Sequence, residues 1–222
     1  DAFGADDDHR SDDGRRVVEG DVLLVAAGRI PNSDQLRVEA GGIAVDERGN
    51  VVVDEFGRTS SPGVWALGDI SSEHQLKHVA NREAHVVAHN LLHPGELRAV
   101  DHTAVPSAVF THPQIASVGL TERAARDAGL DIAVHTRRFD EVAYGWAMED
   151  TTGFCKVIAD RTSGTLVGAH VLGPQASLLV QQLAQAMSFQ LPVVELIHRQ
   201  FWIHPALAEV IENALIGLEL GH

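Results

Sequence analysis

A histidine, a proline and two glutamates stand close together near the end of the chain, in the stretch "FWIHPALAEVIE". Pro205 follows His204 directly, and Glu209 and Glu212 lie five and eight residues after the histidine. Imidazole titrates near neutral pH, so a histidine can both give and take a proton under working conditions. A carboxylate partner would fix the tautomer of the ring and favour its protonated form. The spacing is therefore compatible with an acid–base pair, but these residues alone do not establish one.

The position of the proline indicates which glutamate can reach the histidine. Pro205 suits the first position of a helix, and helical side chains lean toward the helix N-terminus, so Glu209 can lean back toward His204. Glu212 lies about one turn further on and should be too far away. The alternative interpretation is that His204 only precedes a proline-capped helix and has no catalytic part.

A second stretch, "GVWALGD", predicts a short apolar strand that ends in Gly68 and Asp69. An aspartate at the carboxyl end of a strand can accept hydrogen bonds from a ligand hydroxyl, and glycine beside it allows close backbone approach. A helix is predicted to start near Lys77, so its free amides and positive dipole end could face an electron-rich ligand. The alternative is an ordinary aspartate between a strand and a turn.

The chain contains thirteen histidines and a single cysteine. His85 and His89 are four residues apart and could share a helix face, but no clear third ligand accompanies them, so no metal site is expected. Cys155 has no second cysteine for an internal disulfide and is expected to be a packed residue. This cysteine usage suits the reducing cytoplasm, where we expect the protein to reside.

Composition excludes several classes of protein. The 222 residues are 45% hydrophobic, which is enough to fill a core, and carry a net charge of −14. A nucleic-acid partner bound by a general basic surface is therefore not expected. Much of the acidic excess lies in "DAFGADDDHRSDDG", predicted to be a solvated tail or hairpin tip. Neither a membrane-spanning run nor a secretory leader is predicted.

Hydrophobic patterns divide the chain at a polar connector over 93–104. Before it, "GDVLLVAAG" predicts a buried strand of a parallel sheet, 42–69 predicts hairpins, and 76–92 predicts a helix. After it come strands at 104–110 and 131–139, a helix opened by Thr121, a hairpin at 153–173, and helices near 175–190 and 205–216. The second half is therefore expected to be α+β.

The ordered set of segments resembles the pyridine nucleotide-disulfide oxidoreductases. "VLLVAAGRIPN", "TSSPGVWALGD" and the helix beginning "LKHVA" are similar to that family's nucleotide-binding domains, and "VFTHPQIASVGLTE" and "HPALAEVIENAL" to its dimerisation domain. The resemblance implies an α/β remnant of the nucleotide-binding domains followed by an α+β dimerisation domain with an antiparallel sheet. The implied boundaries are 1–33 for the end of the NAD(P)-binding domain, 34–104 for the carboxyl-terminal part of the FAD-binding domain, and 105–222 for the dimerisation domain.

The same resemblance implies roles for individual residues. His204 and Glu209 would be the acid–base dyad of a disulfide reductase, with a cis bond between the histidine and the proline. FAD and NADPH would be the cofactors, the partner a second copy of the chain, and the substrate a low-molecular-weight disulfide. Asp69 beside Gly68 would bind the ribityl chain of FAD. The implied residues facing the flavin are Lys77, His78 and Val79, and the implied substrate residue is His85.

Three sequence features of that family are missing from the 222 residues. Two glycine fingerprints of the form GxGxxG and a CxxxxC pair are expected in a complete reductase and do not occur. The chain is therefore expected to be the carboxyl-terminal half of a reductase. It would complete the active site of a partner subunit, or be a dimerisation module without redox activity. A third alternative is a related reductase that acts on glutathione or lipoamide.

Overall fold

The computed structural model describes residues 18–220. The acidic stretch 1–14, predicted to be a tail or hairpin tip, lies outside the described residues. The α-helices are α1 (Ser33–Leu36), α2 (Lys77–Leu92), α3 (Glu122–Asp127), α4 (Ala143–Ala147), α5 (Ala176–Ser188), α6 (Val193–His198) and α7 (Glu209–Ile216). The strands are β1 (Pro106–Val109), β2 (Gln114–Gly119), β3 (Ile132–Arg138), β4 (Phe154–Asp160) and β5 (Leu166–Gly173). Short 3-10 turns occupy Val38–Gly41, Gly68–Ile70 and Phe139–Glu141.

One antiparallel sheet organises the second half of the chain. Its strand order is β1-β2-β5-β4-β3, and every neighbouring pair is antiparallel. The hairpin predicted at 153–173 is confirmed as β4 and β5, and Thr121 caps α3 by accepting a hydrogen bond from the amide of Ala124 at 3.1 Å. The predicted α+β class with an antiparallel sheet is confirmed.

The main core lies between this sheet and two helices. Helix α5 packs against β1, β2 and β5, and α7 packs against β3 and β4. The layer between them excludes water because alternate strand residues and one face of each helix point inward. Its largest fully buried side chains include Phe139, Leu183, Ile211 and Leu215.

The region before the connector contains α1, α2, two 3-10 turns and three small hairpin-like turns. The predicted helix at 76–92 is confirmed, with Lys77 as its first residue. The predicted hairpins appear as isolated antiparallel bridges rather than full strands, between Val45 and Val51, Val53 and Thr59, and Arg58 and Trp65. Positive φ angles at Gly49 and Gly57, 84° and 88°, allow two of these tight turns.

The prediction of a buried parallel strand at 20–28 is wrong for this structure. These residues have no regular secondary structure, and Val22 and Leu23 are 89% and 87% exposed. A buried parallel strand needs neighbours that pair with its backbone and cover both faces, and none of the described strands does so. An apolar, β-branched composition favours a strand, but it does not supply the neighbouring strands that a buried one needs.

Two further differences concern the second half of the chain. Helix α7 begins at Glu209, four residues later than predicted from Pro205. Strand β2 and helix α6 were not predicted as separate elements. Both are short, and periodicity is least informative in short segments. No helix between residues 18 and 220 has the length and apolar character needed to cross a bilayer.

Cys155 lies on β4 and is fully buried, as expected of a packed residue. Burial raises the pKa of its thiol to about 12, because the apolar interior disfavours the thiolate. Since the thiolate is the reactive form, we expect no labelling of the native chain by a maleimide at neutral pH. In denaturant the same reagent should label one thiol per chain. Rapid stoichiometric labelling without denaturant would contradict this placement.

Candidate functional site

His204 and Glu209 lie together at the start of α7. The Nδ1 atom of His204 is 2.7 Å from Oε1 of Glu209, and Oε2 of the same carboxylate accepts a hydrogen bond from the amide of Ala206 at 3.1 Å. The peptide bond between His204 and Pro205 is cis, as the resemblance implied. Both carboxylate oxygens are therefore occupied, and the orientation of the imidazole is fixed through Nδ1.

The route by which the two side chains meet differs from the one predicted. Glu209 was expected to lean back within a helix that starts at Pro205. Instead, the residues from His204 to Ala208 form an irregular turn, and Glu209 is the first residue of α7. Its side chain reaches across this turn, which explains why its second oxygen also meets the Ala206 amide.

The two glutamates of the segment have opposite electrostatic environments. The hydrogen bond from His204 lowers the pKa of Glu209, so this carboxylate is ionised at neutral pH. Burial, together with the negative charge of Glu209, raises the pKa of Glu212. Glu212 makes no hydrogen bond to His204 in the described structure. Glu209 is therefore the charged partner of the histidine.

The free nitrogen of the imidazole faces outward. The side chain of His204 is 67% exposed while that of Glu209 is 14% exposed. Among residues 18–220, Nε2 of His204 has no hydrogen-bond partner. Phe201 and Ile203 beside it are also exposed, at 104% and 74%. The arrangement can exchange a proton with a group outside this chain, because Nδ1 is held and Nε2 is open.

Helix α7, which begins at Glu209, is anchored in the main core. Its inward residues are buried in the main core, namely Val210, Ile211, Ala214 and Leu215. Asn213 donates a side-chain hydrogen bond to the carbonyl oxygen of Glu209 at 2.8 Å and accepts one from Arg137 at 3.4 Å. The carboxylate therefore projects from a helix end that is anchored on one side by apolar packing and on another by polar contacts.

Gly68 and Asp69 form a second group with the start of α2. Gly68 is buried with φ of +74°, and a Cβ atom there would lie 3.3 Å from Cβ of Ala80, so the turn sits directly on the helix. The Asp69 carboxylate is 57% exposed and accepts a 3.4 Å hydrogen bond from Arg29. This carboxylate can accept hydrogen bonds from ligand hydroxyls.

The first turn of α2 presents unused donors. No side chain caps the helix, and the amides of Lys77, His78 and Val79 have no hydrogen-bond partner within the described residues. The side chains of the first two residues have partners within the protein: Lys77 bonds to Asn81, and Nε2 of His78 lies 2.8 Å from the carbonyl oxygen of Pro106. Val79 is 3% exposed. An exposed carboxylate and uncapped helix amides together fit the hydroxyl-bearing chain and electron-rich ring of a flavin.

His85 is exposed on α2, and no hydrogen bond or ion pair in the described structure joins it to His204 or Glu209. Its neighbour on the helix, His89, bonds to the carbonyl oxygen of Glu96 at 2.9 Å and stacks on His93 with ring centroids 4.5 Å apart. Within residues 18–220, no three His, Cys, Asp or Glu side chains are grouped so that they could hold a metal ion.

Glu83 was missed by the sequence reasoning. Its buried carboxylate accepts a hydrogen bond from the Gly68 amide at 2.6 Å and lies 3.0 Å from Nε2 of His102. A signal was present, because Glu83 shares the helical stripe of Val79 and Val86, where only apolar residues are expected. A carboxylate at such a position must have partners inside the protein.

The chain matches two protein-family models. Residues 105–215 match the pyridine nucleotide-disulphide oxidoreductase dimerisation domain, and residues 2–84 match the pyridine nucleotide-disulphide oxidoreductase model. The two matches follow each other along the chain in the order that the sequence segments suggested. His204 and Glu209 both lie within residues 105–215, the match to the dimerisation domain.

Curated relatives and solved structures agree with those matches. Mycothione reductase from Mycobacterium tuberculosis is 56% identical over 94% of this chain and 46% of its own length. Dihydrolipoyl dehydrogenase from Chlamydia muridarum is 36% identical over 91% of this chain and 43% of its own. The chain thus spans less than half the length of these relatives.

Among solved structures, LpdA from Mycobacterium tuberculosis superposes with a TM-score of 0.82 at 28% identity, covering 92% of this chain and 44% of that one. The HOCl-induced flavoprotein disulfide reductase RclA from Escherichia coli gives a TM-score of 0.79 at 31% identity, covering 88% and 45%. Sequence, fold and family models lead to one assignment: the chain belongs to the pyridine nucleotide-disulphide oxidoreductase family.

Proposed function

We propose that this chain is part of an FAD- and NADPH-dependent disulfide reductase, with mycothione as substrate and His204 and Glu209 as the acid–base dyad. One observation carries the proposal: Nδ1 of His204 is held by the ionised Glu209 at 2.7 Å while Nε2 stays exposed. In this proposal residues 1–33, 34–104 and 105–222 are the end of the NAD(P)-binding domain, part of the FAD-binding domain and the dimerisation domain. The protein would work in the reducing cytoplasm.

The dyad would move protons to and from sulfur. When the substrate disulfide is cleaved, one sulfur leaves as a thiolate, and Nε2 of His204 donates a proton to it. The same nitrogen would later take a proton from a thiol so that the thiolate can attack. Glu209 holds the ring in the tautomer that keeps Nε2 available, and its negative charge stabilises the imidazolium. The dithiol that reacts would come from outside these 222 residues, since the single cysteine, Cys155, is buried.

The turn at Gly68 and the start of α2 would hold FAD. When bound, FAD would pass electrons from NADPH toward the disulfide. Asp69 would accept hydrogen bonds from the ribityl hydroxyls, since its carboxylate is 57% exposed. The amides at the start of α2 would face the flavin ring. In this arrangement FAD is held by the Asp69 carboxylate and the backbone amides. The side chain of Lys77 is not required, and it bonds to Asn81 instead.

His204 on an open surface implies a second subunit. Phe201 and Ile203 leave apolar surface beside it, and such surface in a family dimerisation domain favours contact with another copy. In a head-to-tail homodimer, His204 of one copy would complete the substrate site of the other. His85 would lie near the disulfide substrate in the assembled site.

We expect the 222-residue chain to form a dimer at micromolar concentration, because the region from 105 onward carries the proposed interface. Sedimentation equilibrium gives the mass directly, against 23.9 kDa for the single chain. The variant Phe201→Ser should associate more weakly, because it removes an exposed aromatic ring from the proposed interface. Only monomer in the wild-type chain across that range would contradict the dimer.

The choice of mycothione is supported by the 56% identity to mycothione reductase, against 36% to a dihydrolipoyl dehydrogenase. The segments "LKHVANREAHVVAHNLL", "VAYGWAMEDTTG" and "QFWIHPAL" are the basis of this choice in the sequence. The test is NADPH oxidation by the full-length flavoprotein with mycothione, glutathione disulfide and lipoamide. The highest kcat/KM with mycothione is expected. A preference for lipoamide or glutathione disulfide would transfer the assignment to a related reductase.

A second candidate is a dimerisation module without redox activity. It is favoured by the buried state of Cys155, which leaves the described residues without an accessible thiol. Flavin absorbance of the purified full-length protein separates the two: a bound flavin supports the reductase, and its absence supports the module.

Glu209→Gln in the full-length protein should lower disulfide turnover by about tenfold, the cost of roughly one hydrogen bond. The carboxylate accepts from His204 and from the Ala206 amide on different oxygens, and an amide has one acceptor oxygen for both donors. The pH–rate profile should also change, because the negative charge next to the imidazole is lost.

Glu212→Gln is the matched control, since Glu212 lies on the same helix turn without a hydrogen bond to His204. Its turnover should stay within about twofold of wild type, because glutamine keeps the size of the side chain and the contact between His204 and Glu209 is left intact. Equal damage from both variants, or an unchanged pH profile in Glu209→Gln, would count against the dyad.

A further inference from the structure

Glu83 is a buried carboxylate on the inward stripe of α2. Its side chain is 7% exposed and shares this stripe with Val79, Val86, Val87 and Asn90. A buried carboxylate is costly unless hydrogen-bond donors surround it. Glu83 meets this need with two partners from different segments: the Gly68 amide donates to Oε2 at 2.6 Å, and Nε2 of His102 lies 3.0 Å from Oε1.

The Gly68 contact joins Glu83 to the turn that carries Asp69. Gly68 adopts φ of +74°, a conformation that glycine tolerates and other residues rarely adopt. Its amide points at the helix, where Glu83 is the acceptor. Because Asp69 is the next residue, the direction of its carboxylate depends on how Gly68 is held. Glu83 thus fastens this turn to the helix whose first amides face the same region.

The His102 contact limits the freedom of the carboxylate. His102 belongs to the connector 93–104, and its side chain is 38% exposed. With Oε1 occupied by this ring, Oε2 stays directed at the Gly68 amide. A carboxylate whose two oxygens both have partners keeps one orientation, so it holds the Gly68 amide in one position.

We propose that Glu83 is a positioning residue of the flavin site: without touching the ligand, it sets the turn of Gly68 and Asp69 against the start of α2. The inference rests on the FAD-binding part of the proposed function. It goes beyond that proposal by giving a role to a residue that lies one layer beneath the ligand-facing groups.

The test is FAD affinity of the apo form of the full-length protein, measured by quenching of flavin fluorescence. Glu83→Met keeps the volume of the side chain and removes the acceptor. It should weaken FAD binding by about tenfold to a hundredfold, as for loss of a hydrogen bond to a charged group. Glu83→Gln keeps one oxygen for the Gly68 amide and should bind FAD within about threefold of wild type.

Asn90→Leu is the matched control for a merely structural effect. Asn90 is fully buried on the same stripe and bonds to the carbonyl oxygens of Phe56 and Arg98, away from Gly68. This variant should lower the thermal midpoint as Glu83→Met does, but leave FAD affinity near that of wild type. Equal weakening of FAD binding in both variants would overturn the inference.

The outcomes separate this inference from the proposed function. A wild-type protein that binds no FAD removes the function and the inference with it. A wild-type protein that binds FAD, with Glu83→Met unchanged in affinity, removes the inference alone. If Glu83→Met does not fold, hydrogen exchange of the Gly68 amide in the wild-type apoprotein decides. Slow exchange supports the hydrogen bond to Glu83, and exchange at the rate of an exposed loop overturns it.

Discussion

Replacing His204 with alanine in the full-length protein is expected to reduce disulfide turnover by about two or more orders of magnitude, the effect of losing a general acid–base. The reason is geometric as well as chemical. Nε2 of His204 is the exposed end of a pair whose other end is fixed at 2.7 Å by Glu209. No other ionisable side chain in the described structure hydrogen-bonds to His204 and could take over that position. Steady-state NADPH oxidation with a disulfide substrate measures the loss.

The first half-reaction distinguishes a lost acid–base from a lost fold. NADPH should still bleach the flavin absorbance in His204→Ala at about the wild-type rate, because this step needs no proton from the dyad. His198→Ala is a suitable control, since His198 is an exposed histidine at the end of α6. Near-normal disulfide turnover in His204→Ala would remove the assignment. A loss of flavin reduction in parallel with turnover would point to a structural role instead.

The dyad shows how far residue types and spacing lead. The spacing made a contact between His204 and Glu209 feasible, and the family resemblance turned it into a prediction, which the structure confirms. Glu212, predicted to be too far away, makes no hydrogen bond to His204 in the described residues. The path was wrong, because Pro205 was assigned to the first turn of a helix that begins at Glu209. A helix start is set by where the backbone finds tertiary packing as well as by local preference. The catalytic role of the pair remains a prediction until turnover is measured.

Local sequence patterns predicted the elements whose backbone hydrogen bonds join residues close together in the chain. The helix at 76–92 and the hairpin at 153–173 were both predicted, since a helix and a hairpin pair groups close in sequence. The segment 20–28 failed for the opposite reason: a parallel strand depends on neighbours that local sequence does not contain. The contact between Glu83 and Gly68 spans 15 residues and joins a helix to a turn, so neither segment alone indicates it.

Truncating Ile211 to alanine is expected to cost about 2–5 kcal/mol of unfolding free energy, the range for large-to-small changes in a packed core. Ile211 is fully buried on α7, two residues after Glu209, and belongs to the core between the sheet and the helices. Removing its outer carbons leaves a cavity beneath the helix that carries the dyad. The midpoint of urea denaturation, followed by circular dichroism at equal protein concentrations, should fall without a large change in slope.

Ile211→Val is the matched control, because it removes one methylene and keeps the branched shape. Its expected cost is about 0.5–1.5 kcal/mol, so the two variants should rank clearly. A loss below about 1 kcal/mol in Ile211→Ala would mean that the site collapses around the smaller side chain, or that α7 is not anchored as described. A loss within the expected range would support the placement of Ile211 in the core against which α7 packs, and Glu209 is the first residue of that helix.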